Sequence, residues 1–181
     1  TNNASKTSIP VYIGTYSNEG AEGIYYTEFN TLSGAMTEAF LATKLFNASY
    51  LTTNPNRTLL FAVSENDGTK ANVFSYKIEK NGRLSLADSI KTNGRATCYI
   101  HVFDDIAMIA NYMSGDVSFM RFDEKGKFIG IPTTFQHQGS GPNINRQEAP
   151  HAHSIQADRN GKYFYAADLG ADKLEVYTIE N

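Results

Sequence analysis

A single cysteine, Cys98, stands in 181 residues. No disulfide can close within the chain, and neither a paired-thiol redox motif nor a cysteine-based zinc module can form. Lysines and arginines never run together and the formal net charge is −3. The electrostatic footprint of a phosphate-backbone reader is missing, which excludes nucleic acid as a partner class. No apolar stretch approaches the roughly 18 residues of a membrane-spanning helix, which excludes a helical membrane span. Tryptophan is absent, whereas tyrosine and phenylalanine each occur eleven times. With no basic groove beside them, these rings read as packing within and between sheets, not as a base-stacking surface.

Helical periodicity is scarce as well. Apolar runs such as Val11–Ile13, Thr58–Val63, Ile106–Ala110 and Tyr163–Ala167 are too short for helices and suit buried strands. Alternating segments lie between them, Val73–Ile78 and Val117–Phe122 among them, with the period-2 pattern of half-exposed strands. Gly, Asn and Asp clusters bracket each run: Asn18 to Gly23, Asn66–Gly68, Ser114–Asp116 and Gly170–Asp172. Those are hairpin signals. The best helix candidate is Met36–Leu45, although it lacks a cap and reads equally as an outer strand.

The pattern repeats. A Gly-x-hydrophobic turn closes three units, at Gly34, Gly82 and Gly126, at intervals of 48 and 44 residues. That spacing belongs to propeller blades of about 40–50 residues. A fourth unit reads as beginning at Gly161. The expected fold is all-β, a β-propeller of about three and a half four-stranded blades over residues 9–181, preceded by a polar, flexible leader over residues 1–8. The leader reads as the remnant of an exported precursor or the cut edge of a longer chain. An open arc of blades exposes strand edges, so the expected macromolecular partner is the remaining blades or a second copy of the chain.

Chemistry concentrates between His137 and His153, which holds three of the four histidines with Arg146 and Glu148. His151 and His153, two apart on a strand, are expected to share a face. They read as channel-lining or ordinary hydrogen-bonded histidines, as a base with a neighbour, or, with Glu148, as ligands of a divalent metal. Gly139-Ser140-Gly141 lacks the lysine and helix of a phosphate loop and reads as a mobile loop. Arg146 has the planar fork that binds phosphate or carboxylate through two hydrogen bonds. Asn111 and Asp168 end corresponding buried runs, where either channel-facing groups or turn caps are expected.

Several motifs, in order, point to a family: Tyr12-Ile13-Gly14-Thr15-Tyr16, Gly23-Ile24-Tyr25, Ala48-Ser49-Tyr50-Leu51, Val63-Ser64-Glu65-Asn66, Ala110-Asn111-Tyr112 with Gly115-Asp116-Val117, Pro150-His151-Ala152-His153, and Ala167 to Asp172. Together they resemble the lactonase family that includes seven-bladed-propeller 6-phosphogluconolactonases and fungal carboxy-muconate cyclases. The resemblance implies a seven-bladed ring and a carboxylic ester hydrolase that opens a sugar lactone, 6-phospho-gluconolactone first, without a cofactor or a metal.

It also implies His151 as catalytic base, with Glu148 and His153 beside it. Arg146, Gln147, Asn143, Asn111 and Asp168 would bind substrate. A metabolic role of that kind implies the cytoplasm, with periplasm or export as the alternative. Where relatives commonly read Ser-Pro-Cys-His, this chain reads Ala96-Thr97-Cys98-Tyr99. A second family cluster, an arginine–histidine pair and a glutamate, has no counterpart before Asn181, so half a site is expected here. A propeller that binds a ligand or protein without chemistry, or a muconate-type lactonising enzyme, is the alternative.

Overall fold

The computed structural model describes residues 7–17, 20–70 and 72–178. Most of the expected leader, residues 1–6, lies outside these, as do Asn18 and Glu19 of the first turn signal; Ser8 is already the first residue of a strand, paired with Asn30. Fourteen antiparallel strands form four sheets in strict chain order. The first contains β1 (Ser8–Ile13), β2 (Gly23–Asn30) and β3 (Phe40–Lys44). The second contains β4 (Leu51–Thr53), β5 (Leu59–Val63), β6 (Val73–Ile78) and β7 (Leu84–Ile90). The third contains β8 (Thr97–Phe103), β9 (Ile106–Asn111), β10 (Asp116–Phe122) and β11 (Phe128–Gln136), and the last β12 (Ala152–Ala157), β13 (Phe164–Asp168) and β14 (Lys173–Tyr177).

Period-2 geometry explains why the second strand of each blade is so apolar. Along β5, Leu59, Phe61 and Val63 pack toward the third sheet while Leu60 and Ala62 pack toward the first. Along β9, Ala107 and Ile109 face the second sheet, and Met108 and Ala110 face the fourth. Both faces of these strands are therefore buried, and an uninterrupted apolar run is the result. The core is three layers of side chains between four sheets. Phe61 against Phe122 (4.6 Å between ring centroids) and Phe119 against Phe164 (5.9 Å) stitch the layers, with the tilted and edge-on geometries that aromatic quadrupoles favour.

Turn chemistry punctuates the blades at both ends. Gly34, Gly82 and Gly126 have φ of 73°, 79° and 84°, which places the closing turn of three blades in the left-handed region that favours glycine. A second register of left-handed residues, Arg57, Asp104 and Gly161, follows the innermost strands. In two of those turns a side chain holds the loop. Asn54 Oδ1 accepts from the Thr58 and Leu59 N–H groups, and Asp158 Oδ1 from those of Lys162 and Tyr163. Gly161 thus turns β12 into β13; the fourth blade begins at Ala152, not at Gly161.

The segment Met36–Leu45 is not helical. Met36 bridges to Phe29, and Phe40–Lys44 forms β3 against β2. Pairing with the central strand β2 outweighs a weak helical pattern, and the exposed-to-buried alternation around Ala42 is the strand's own period.

Strands β4, β8 and β12 lie side by side at the inner edges of their sheets. Tyr99 of β8 spans them: its ring packs on Tyr50 at 4.2 Å and its hydroxyl accepts from Gln156 Nε2 at 2.6 Å. Tyr99 is thus nearly buried in the axial wall. Gly115 (φ 65°) lets the β9–β10 turn meet the fourth sheet, for a Cβ there would come 2.4 Å from the Pro150 carbonyl oxygen. Gly115→Ala should cost about 1–3 kcal/mol through backbone strain and this clash. Chemical denaturation should show it as a lower midpoint with an unchanged slope.

Candidate active site

The loops at one end of the axis carry the polar cluster. His137 follows β11, the segment 138–150 crosses to the next sheet, and His151 stands immediately before β12. The His151 main-chain N–H donates to Asp168 Oδ1 at 2.7 Å, and its carbonyl accepts from Leu169 N–H at 3.0 Å. Those two bonds hold the residue beside the β13–β14 turn.

The ring of His151 is also pinned. Nδ1–H donates to the Tyr112 carbonyl at 3.0 Å, while the imidazole stacks on the Tyr112 ring at 4.5 Å and 12°. A carbonyl only accepts, so in the neutral ring the proton sits on Nδ1 and Nε2 is the basic nitrogen. Nε2 faces Glu148 Oε1 at 3.1 Å. The His151 side chain is 8% exposed and that of Glu148 54%, so the pair opens outward from a buried base. Glu148's carboxyl lies below the usual carboxylate range, held there first by its own backbone N–H and next by the His151 ring, with Arg146 adding a smaller pull.

Beneath this pair lies a group of which the sequence assigned a role only to Asp168. His137 Nδ1 meets Asp168 Oδ2 at 2.6 Å, and His137 Nε2 meets the Tyr177 hydroxyl at 2.7 Å. Burial, followed by the charges of Glu175 and Asp168, pushes the Tyr177 phenol up to about 12, so it remains a donor at neutral pH. The donor order is then Tyr177 O–H to His137 Nε2, and His137 Nδ1–H to Asp168. Asp168 also accepts from Ala171 N–H at 2.7 Å, which brings it to three donors. The presence of His137 in the histidine-rich segment was the available signal; its partners lie 31 and 40 residues further along.

The other expected site residues separate by role. His153 is exposed and lies in a bulge of β12, between Ala152 and Ser154. It touches the Tyr112 ring edge-on at 5.5 Å, so both histidines meet one ring, from its face and its edge. Arg146 is exposed, and its guanidinium makes no hydrogen bond or ion pair with any described residue.

Gln147 is spent on structure: Nε2 donates to the Leu169 carbonyl and Oε1 accepts from Asn143 N–H. Asn143 shapes the turn ahead of Arg146, its Oδ1 accepting from Asn145 N–H. Asn111 and Asp168 end equivalent strands, as their matching positions imply, but both are sealed. Asn111 bonds Asp116 Oδ1 at 2.7 Å and Thr97 Oγ1 at 2.6 Å, and the Asp168 side chain is 0% exposed. The side chains of Gln147, Asn111 and Asp168 thus have protein partners, whereas exposed Asn143 uses only its Oδ1 in this way. Among the described residues no group of three or more His, Cys, Asp or Glu side chains is placed to hold a metal ion.

Beside Tyr112, across the third and second blades, a cleft of about 560 Å³ opens among Asn47, Glu65, Asp67, Arg95, Ala96 and Met113. One end of the blade array thus carries a histidine–carboxylate pair, a guanidinium without a partner among the described residues and, toward the neighbouring blades, this cleft. The chain belongs to the family described as Lactonase, 7-bladed beta-propeller, which matches residues 10–181.

Among its relatives is the 6-phosphogluconolactonase of Bacillus subtilis (strain 168), 37% identical over 94% of this chain and 49% of that protein. A crystal structure of a candidate 6-phosphogluconolactonase from Bacteroides uniformis superposes with a TM-score of 0.91 at 30% identity, over 97% of this chain and 51% of the other. The periplasmic gluconolactonase of Pseudomonas aeruginosa superposes with a TM-score of 0.85 at 28% identity, over 94% of this chain and 50% of the other. The chain spans about half the length of the curated relatives it matches.

Proposed function

We propose that the protein is a carboxylic ester hydrolase that opens a sugar lactone, 6-phospho-glucono-1,5-lactone being the favoured substrate. The observation that carries this reading is the His151–Glu148 pair, with one imidazole nitrogen committed to the Tyr112 carbonyl and the other facing an outward carboxylate. Water that displaces Glu148 Oε1 from Nε2 loses a proton to it, and the nascent hydroxide adds to the lactone carbonyl. Glu148 holds the imidazolium that results. Arg146, beside Glu148 in the crossing loop, stabilises the developing oxyanion, as lactone opening requires. Collapse of the tetrahedral intermediate breaks the bond to the ring oxygen, which takes its proton from His151 and leaves a free aldonate. His153, exposed at the edge of Tyr112, lines the approach.

A phosphorylated lactone implies a cytoplasmic reaction; a free lactone would suit the periplasm, where the Pseudomonas relative is named. No described helix is long and apolar enough to cross a membrane. The test is turnover of 6-phospho-gluconolactone by the intact protein, above its spontaneous opening. Failure to accelerate the opening of either that lactone or unphosphorylated gluconolactone sinks the reading.

Glu148→Gln supplies a sharper check. The wild-type carboxylate is ionised across neutral and mildly acid pH because its carboxyl is held low, and its charge stabilises the imidazolium formed in the transition state. Glutamine keeps the shape and removes the charge. The plateau of kcat/KM should fall by about tenfold or more, through kcat. An unchanged plateau would remove Glu148 from this role.

A further inference from the structure

We infer that Arg95 forms a second anion site, in the cleft beside Tyr112, which holds the phosphate at the far end of a phosphorylated sugar lactone while the ester lies at His151. The inference rests on the lactonase reading and names which part of the substrate the second site takes.

Backbone geometry supplies the first argument. Ala96 has φ of 50°, a left-handed conformation that a residue with a side chain adopts at a cost of about 1–3 kcal/mol and that persists only where surroundings impose it. They do so here. Ala96 N–H donates to the Asn66 carbonyl at 2.7 Å and its carbonyl accepts from Tyr112 N–H at 3.0 Å. Arg95 is gripped from the same turn: its N–H donates to Ser114 Oγ at 3.0 Å, and its carbonyl accepts from Met113 N–H at 3.1 Å. The strained turn therefore holds Arg95 one residue along from Tyr112, the residue whose carbonyl and ring position His151.

The side chain supplies the second argument. It lines the cleft and runs over Gly68, where a Cβ would come 3.0 Å from Arg95 Cγ. Its guanidinium forms no hydrogen bond or ion pair with any described residue, although Glu65 and Asp67 line the same cleft. Arg95 is exposed at the cleft mouth, and its planar guanidinium, with five uncommitted donors on a rigid backbone, matches a phosphate dianion. The neighbouring carboxylates suit sugar hydroxyls as acceptors. Arg146, next to Glu148 in sequence, serves the reacting end; Arg95 serves the opposite one. Two cations at two ends fit a substrate that is anionic at one end and becomes anionic at the other.

The experiment compares 6-phospho-gluconolactone with gluconolactone in the intact protein carrying Arg95→Gln or Arg95→Lys. Arg95→Gln should lower the ratio of kcat/KM for the phosphorylated over the free lactone at least about tenfold, chiefly through KM, the loss expected for one charge-assisted contact. Arg95→Lys should recover part of it. His151→Ala should lower both reactions together. An unchanged ratio in Arg95→Gln overturns the assignment. If the parent opens neither lactone, the lactonase reading falls and the subsite is judged by binding alone. Millimolar 6-phosphogluconate should then raise the melting temperature of the parent more than gluconate does, and this difference should vanish in Arg95→Gln. An equal difference in parent and variant overturns the subsite.

Discussion

Replacing His151 with alanine should lower kcat/KM for lactone opening by about 10²–10⁴-fold, the contribution of a positioned general base. The loss falls on kcat, because the proton is transferred only as the bond to water forms. Alanine also removes a ring stacked on Tyr112 and one donor to a half-buried carbonyl, so some loss of stability accompanies it. Asparagine at 151 separates the two effects. Its amide N–H keeps a donor for the Tyr112 carbonyl, but it offers no basic nitrogen. His151→Asn should therefore melt closer to the parent than His151→Ala and be as inactive. Turnover within about tenfold of the parent in both variants would remove His151 from the chemistry.

Asp168→Ala should have the largest effect on stability, a loss of about 3–5 kcal/mol by chemical denaturation, as when one partner of a buried charged network is removed. The carboxylate accepts from the main chain at His151 and Ala171 and from the His137 ring, at 2.7, 2.7 and 2.6 Å. Alanine strands all three donors in a site without access to water. Asp168→Asn is the informative companion. Its carbonyl oxygen still accepts from the two main-chain N–H groups, but its NH₂ faces the Nδ1–H of His137. Relief requires the ring to change tautomer, and Tyr177 must then accept where it had donated. The asparagine variant should cost about 1–3 kcal/mol, and Tyr177→Phe should add to that cost in the double variant, because the Nε2–H of the new tautomer then loses its acceptor. A loss below about 1 kcal/mol for Asp168→Ala would show that the network does not brace the site.

Local pattern accounts for most of what could be read before the structure. The runs that became β5 and β9 are apolar because both faces of those strands are covered, and Gly34, Gly82 and Gly126 recur because three equivalent turns need a left-handed residue. The innermost strands carried less signal. β4 is only three residues long, and bulges interrupt β8 and β12 where Cys98 and His153 sit, so alternation fails there. Met36–Leu45 misled because a lone edge strand with one buried residue has no strong period of its own.

In the polar segment, composition marked His151, Glu148 and Arg146 but could not separate them from Gln147, whose amide is spent on Asn143 N–H and the Leu169 carbonyl. Residue type says what a group can do. Only the neighbours say whether it is free to do it.

From the sequence alone follow the all-β class, the repeat near 45 residues and the concentration of titratable groups between His137 and His153, since each is a property of neighbouring residues and their period. Tertiary structure decided how three histidines divide the work. His137 is consumed by Asp168 and Tyr177, His153 is turned out on a bulge, and His151 keeps one nitrogen facing an open carboxylate. Those fates depend on contacts between blades, made by residues up to 40 positions apart, and no local pattern encodes which of two imidazole nitrogens will find a partner.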